Sequence, residues 1–187
     1  MHIDATLVEA AKRGDPEAFE ALIERTNKAV YGLVFRLVGN HEDAADVMQE
    51  TYLRIWRSLR SYRGDAAFET WAYRIAANAA MTHLKKRGRE AEPVDPATLA
   101  PLERAEPSPE EPPDADRLEE ALARLPVAMR TVLVMKDVYG FSLAEIAKQV
   151  GATEGALKVR VFRARRRLAE ELYGNEVIVP MRRKKTS

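Results

Sequence analysis

Hydrophobic positions recur at helical intervals in two stretches of this chain, separated by a stretch with no such recurrence. In the first, Ala18, Phe19, Leu22, Ile23, Ala29, Val30, Leu33 and Leu37 follow the spacing of one helix face. Asp15-Pro16 opens that run as an N-cap followed by proline at the first helical position, where no N–H is needed. Gly39-Asn40 interrupts it. A further helix from about His41 to Leu59 carries Ala44, Val47, Met48, Ile55 and Leu59. The turn-forming Tyr62-Arg63-Gly64-Asp65 then precedes a helix from about Phe68 to Lys86. Alternation of period two is absent and alanine is abundant, so the predicted fold is all-α.

The second periodic stretch begins near Arg117. Leu118, Ala121, Leu122 and Leu125 line one helix that stops at Pro126, and another spans about Val127 to Val138, ending at Tyr139-Gly140. Ser142 with Glu145 three residues on forms a capping box for a short helix. Between the two stretches, Pro93, Pro96, Pro101, Pro107, Pro109, Pro112 and Pro113 are interspersed with Glu90, Glu92, Asp95, Glu103, Glu106, Glu110, Glu111, Asp114 and Asp116. Proline removes backbone donors and the acids repel one another, so an extended or disordered tether is predicted, with a reach of roughly 90 Å at ~3.3 Å per residue. The expected organisation is a helical domain over 1–87, an acidic linker over 88–116, a second helical domain over 117–173 and a basic tail over 174–187.

Net charge is +1, an average over this acidic tether and two basic flanks. The absence of cysteine excludes a disulfide framework and a thiolate zinc site and suits a reducing cytoplasm. The first residues lack the apolar core of a signal peptide, and no apolar run approaches the ~20 residues of a membrane span. A soluble, cytoplasmic protein without membrane insertion is therefore expected. His2, His41 and His83 are dispersed without metal spacing, and neither a phosphate-binding glycine loop nor a nucleophile elbow is present. No cofactor and no catalysis by the chain alone are expected.

Chemistry concentrates in the segment from Ser142 to Leu157, which has helix-turn-helix spacing. Small Ala147 lets two helices cross, Gly151 permits a left-handed turn, and Ile146, Val150 and Leu157 are expected in the shared core. Thr153 caps the second helix. In that helix Leu157, Val161, Ala164, Leu168 and Leu172 form one apolar stripe, opposite Lys158, Val159, Phe162, Arg163, Arg166 and Arg167. A phenylalanine among cations suits a major groove, where its ring touches a thymine methyl while Arg163 pairs with a guanine edge. Arg160, Arg165 and Arg167 are placed to hold phosphates. A basic helix on the surface of any helical bundle is the plainer alternative. In isolation this half also fits a repressor or an output domain.

Aromatic residues crowd the first domain: Tyr52, Trp56, Tyr62, Phe68, Trp71 and Tyr73, interleaved with Arg54, Arg57, Arg60, Arg63, Arg74, Lys85, Lys86, Arg87 and Arg89. Exposed rings stack on unpaired bases while cations follow the backbone, and the cluster as a whole suggests such a surface, but taken singly Tyr52, Trp56 and Trp71 are better read as core residues of a small bundle.

The segment from Glu42 to Trp56 (EDAADVMQETYLRIW) resembles the core-binding segment of extracytoplasmic-function sigma factors, and Tyr62 to Asn78 (YRGDAAFETWAYRIAAN) resembles the loop and helix with which they capture melted promoter. Leu125-Pro126, Arg130, Glu145-Ile146-Ala147 and Arg163-Ala164-Arg165 are similar to their region four. The resemblance covers both domains in the right order.

It implies a sigma factor with regions two and four, which directs RNA polymerase core to promoters through the minus-thirty-five element and melts the minus-ten element. Asp46, Gln49 and Glu50 would meet the clamp helices of core, and region four its flap. Tyr62, Arg63, Gly64, Asp65, Phe68, Trp71, Arg74 and Asn78 would hold the minus-ten strand. Lys158, Val159, Arg160, Phe162, Arg163, Arg166 and Arg167 would read duplex upstream. An anti-sigma factor is an implied partner.

The chain departs from the family pattern at Ala45, where an acid is usual, at Thr82 in place of aspartate, and at Ala156 and Val159 in place of small hydroxyl residues. The rival readings are a polymerase-independent helix-turn-helix regulator and a sigma-like decoy for an interaction partner.

Overall fold

Short-range signals decide where each helix begins and ends. The structure, a computed structural model, describes residues 3–88 and 114–174 and divides into two units. Among the described residues every regular element is helical. The expected linker and tail lie outside the described residues, apart from their edges.

In the first unit, α1 (Ala5–Lys12) is capped by Asp4, whose carboxylate accepts from the Thr6 N–H at 2.9 Å. No periodicity marked this helix in advance. Helix α2 (Pro16–Val38) starts on Asp15, which accepts from the N–H groups of Glu17 and Ala18 at 3.0 and 3.1 Å. Gly39 ends it at φ 85°, donating to the Phe35 carbonyl at 2.8 Å. Asn40 then accepts from the Asp43 N–H at 2.8 Å and starts α3 (His41–Ser58), which tightens into a 3-10 turn at Leu59–Ser61. Helix α4 (Phe68–Lys86) follows the loop at 62–67.

Leu22, Val30, Leu33 and Leu37 of α2, Ala44, Val47 and Ile55 of α3, and Ala72, Ala76, Ala77 and Ala80 of α4 make the core. The alanines matter because α4 packs against both α2 and α3, and a bare Cβ surface lets it approach each. Helix α1 covers another part of α2.

In the second unit, α5 (Ala115–Arg124) begins two residues before Arg117, capped by Asp114. The helix expected over Val127 to Val138 is found with those bounds, but not in one register: α6 (Val127–Leu133) passes without a break into a π turn at Val134–Val138. Residues 131 to 135 are buried in succession, so this segment is covered on every side. Helix α7 (Leu143–Val150) carries the expected capping box and ends on Gly151 at φ 71°. Helix α8 (Glu154–Tyr173), capped by Thr153, is the axis on which α5, α6 and α7 pack.

Candidate nucleic-acid interface

Helices α7 and α8 form the turn that the spacing predicts, with Ile146 and Leu157 fully buried at their junction. Val150 is only half-buried, so it fills less of that junction than expected. Along α8, Leu157, Val161, Ala164 and Leu172 face inward and Leu168 is half-buried. Lys158, Arg166 and Arg167 are exposed, and Val159, Phe162 and Arg163 are half-exposed, so one side of the helix presents an aromatic ring set among cations. The last turns are trimmed by ion pairs: Arg166 with Glu170 at 3.0 Å and Arg167 with Glu171 at 3.5 Å, both exposed enough to exchange for phosphate.

Two arginines differ from expectation. Arg160 is 9% exposed and does not join the outer face. It lies about 60° from the apolar stripe at ~100° per residue, near enough for the flanking helices to cover it. Burial depresses its pKa, and among the described residues its Nε has no hydrogen-bond partner. Arg165 is clamped by the carboxylate of Asp137, at 2.8 and 2.7 Å, which ties α8 to the π turn instead of offering a bare guanidinium. Arg130 is buried as well and donates to the Ala123 carbonyl at 3.2 Å, joining α6 to the end of α5.

In the first unit the loop after the 3-10 turn exposes Arg63, Gly64 (φ 80°) and Asp65. Tyr62 anchors its start by donating to the Ala66 carbonyl at 2.6 Å. Its ring stands 5.8 Å from Phe68 and 5.1 Å from Trp71, and those two stand 5.6 Å apart. Burial raises the Tyr62 pKa, reinforced by the charge of Glu69, so the hydroxyl stays protonated as a donor.

Phe68 is 3% exposed, which corrects its assignment as a base-contacting ring. It opens α4 and sits beneath the loop, where it positions Tyr62 and Trp71. Trp71 is half-exposed, while Arg74 and Asn78 lie one turn apart on the outer side of α4. Thr82 donates to the Asn78 backbone carbonyl at 2.8 Å.

On α3, Asp46 and Gln49 are exposed and one turn apart. Glu50 is half-buried, its carboxylate accepting from Arg54 Nε at 2.6 Å, and that hydrogen bond lowers its pKa. Leu53 and Trp56, 44% and 45% exposed, extend the Asp46–Gln49 side of α3, and Trp56 meets the Phe19 ring edge-on at 4.7 Å. Tyr52, also on this helix, donates to Asn27, and burial pushes its pKa up to about 12.

Behind α3 lies a polar cluster that no motif indicated. Asp43 has no exposed surface; it accepts from Asn40 Nδ2 at 2.7 Å, meets His83 Nε2 at 3.0 Å and pairs with Arg87 at 2.7 Å. Burial works to raise its pKa, but the bonds to Asn40 and His83 and the charge of Arg87 outweigh it and hold the carboxyl low. Among the described residues no group of His, Asp or Glu is placed to hold a metal ion, and no helix is long and apolar enough to cross a membrane.

Residues 22–90 match sigma-70 region 2, and residues 115–168 match sigma-70 region 4. The RNA polymerase sigma-H factor of Pseudomonas aeruginosa is 35% identical over 181 residues, covering 90% of this chain and 93% of its own. The ECF RNA polymerase sigma factor SigM of Mycobacterium tuberculosis is 36% identical over 172 residues, covering 90% and 84%. Among solved structures, the sigma factor RpoE of Bartonella quintana, in complex with the anti-sigma factor NepR, superposes with a TM-score of 0.56 at 27% identity, over 82% of this chain and 96% of that one.

Proposed function

The chain belongs to the extracytoplasmic-function branch of the sigma-70 family and directs RNA polymerase to promoters without catalysis of its own, and from that premise we propose how its two units divide the work. The second unit, region four, reads the minus-thirty-five duplex with the outer side of α8. Phe162 meets a thymine methyl, Arg163 a guanine edge, Lys158 and Val159 the neighbouring bases, and Arg166 and Arg167 the phosphates. Arg160 serves from within, holding α8 on its supports. The flap of core is the polymerase contact of this unit.

The first unit, region two, holds the melted minus-ten strand. The loop Tyr62, Arg63, Gly64 and Asp65 receives an extruded base beside Trp71, with Phe68 bracing Tyr62 and Trp71 from below, while Arg74 and Asn78 on α4 follow the strand. Binding there offsets the few kcal/mol of unstacking that base extrusion costs. Asp46, Gln49 and Glu50 on α3 meet the clamp helices. An anti-sigma factor is the proposed regulator, supported by the complex in which the Bartonella relative was solved. The work takes place in the cytoplasm, beside the polymerase.

The observation that carries this division is the side of α8 on which Phe162 stands among Lys158, Arg163 and Arg166, opposite a stripe that is almost wholly buried. Run-off transcription with bacterial core polymerase on a promoter library tests it. New transcripts that depend on the chain and share an upstream element and a minus-ten element support the division. Binding to core without transcripts would make the chain a decoy. Tight duplex binding that ignores core would make it a regulator.

A further inference from the structure

Helix α1, outside the 22–90 match to region 2, is hydrogen-bonded at its start and packed at its end against the elements that bracket the 62–67 loop. At its start, the Ile3 N–H donates to the Glu69 carboxylate of α4 at 3.2 Å, and Ile3 itself is buried. Past its end, Gly14 turns at φ 93° with the Arg60 guanidinium against it: a Cβ there would lie 3.9 Å from Arg60 Nη2. The helix also packs on the 3-10 turn that carries Arg60. Lys12, in the last turn of α1, is close enough to Tyr62 for its charge to act on the phenol.

Lys12, Arg60 and Arg63 thus gather round one edge of the loop, and Arg60 and Arg63 are exposed. Lys12, 23% exposed, is bonded to Glu9 at 2.7 Å; Glu9 is 56% exposed, so its carboxylate can turn to water and leave the ammonium to a phosphate. Of the acids near Tyr62, Glu69 on α4 is already engaged with the Ile3 N–H, and Asp65 stands exposed on the loop itself.

We propose that the end of α1 and the 3-10 turn form a phosphate-binding edge, with Lys12 and Arg60 as its principal cations, that holds the single-stranded DNA backbone next to the base captured at Tyr62. This rests on the reading of the 62–78 segment as the minus-ten surface. The edge contacts phosphates and not bases, so it strengthens every melted sequence alike. Region two therefore extends, in this chain, upstream into residues that the family match leaves out.

The test uses holoenzyme assembled from the full chain and core polymerase. Its probe is a fluorescent single-stranded oligonucleotide carrying the non-template minus-ten sequence recovered from the run-off library, titrated at 50 and 200 mM salt. Each phosphate contact on single-stranded DNA contributes about −0.7 to the slope of log K against log salt, so Lys12→Gln with Arg60→Gln should flatten it by about 1.4. The double variant should then lose about seven-fold less affinity than the parent across that fourfold salt change.

Weakening should be equal on a scrambled oligonucleotide, and Lys12→Arg with Arg60→Lys should restore the parental slope. An unchanged slope in a variant that keeps the parental thermal transition would overturn the edge, as would a loss confined to the native sequence. Asn78→Ala separates this from the reading beneath it. If Asn78→Ala leaves strand binding intact the minus-ten assignment fails, whereas an effect of Asn78→Ala without one from the Lys12 and Arg60 pair removes only the edge.

Discussion

Phe68→Ala distinguishes a ring that touches DNA from a ring that holds the loop in place. Phe68 is 3% exposed and packs within 6 Å, centre to centre, of both Tyr62 and Trp71. Truncating such a ring to alanine costs about 3–5 kcal/mol in lost burial and residual cavity. At roughly 0.05–0.15 kcal/mol per residue, a unit of this size has on the order of 4–13 kcal/mol to lose. About 1 kcal/mol moves the Tm of a domain this small by roughly 4–8 °C, so the variant should melt at least ~12 °C lower.

The assay is specific to this unit, because both tryptophans of the chain, Trp56 and Trp71, belong to it, and fluorescence reports its unfolding without contribution from the other. Phe68→Leu, which keeps most of the apolar volume, should recover the greater part of the transition and, with it, promoter melting. If Phe68→Ala abolished melting while leaving the tryptophan midpoint where it was, the ring would be acting on DNA directly, and the reasoning from burial would be refuted.

Further outcomes are expected of the remaining sites. Arg163→Ala should relax specificity at a single upstream base pair by about 1–3 kcal/mol in a binding competition, and an equal loss on all sequences would reduce Arg163 to a phosphate contact. Asn78→Ala should slow open-complex formation, read by permanganate reactivity, while leaving minus-thirty-five binding unchanged; loss of duplex binding would contradict its placement on the melted strand. The low pKa of Asp43 means that its stabilising effect is fully present above the ordinary carboxylate range near 3.9 and is lost as pH falls from there through the folded value. Asp43→Asn should therefore weaken the first unit at neutral pH and flatten the acid limb of its tryptophan-monitored stability curve. An acid limb as steep as the parent's would place the titrating group elsewhere.

What could be read without coordinates was whatever is settled within a few residues. Asp15, Ser142 and Thr153 cap their helices because a short polar side chain reaches the N–H groups two or three residues on, and no distant partner is needed. Gly39 and Gly151 adopt positive φ where a helix must stop, for reasons equally local. The all-α class, the helix-turn-helix and the side of α8 that carries Phe162 follow from such signals together with the 3.6-residue period. The family-bearing motifs were legible for the same reason: each is a run of adjacent residues.

Tertiary structure decided the questions that depend on which neighbour covers which flank. Arg160 and Phe68 belong to residue types that occur both inside and outside, and each stands at the margin of an apolar stripe. Only the arrival of other helices on α8, and of the loop over the start of α4, made them interior. The Asp43 cluster draws Asn40, His83 and Arg87 from positions up to 44 residues away, so no local spacing announces it. Helix α1 has too few residues for a period to stand out, and its meaning comes from the two contacts, at Glu69 and at Arg60, that lay it along the loop. Sequence determined the helices and the chemistry each could offer; packing determined which of those groups water, and hence DNA or polymerase, can reach, because burial is a property of pairs of surfaces and not of any one segment.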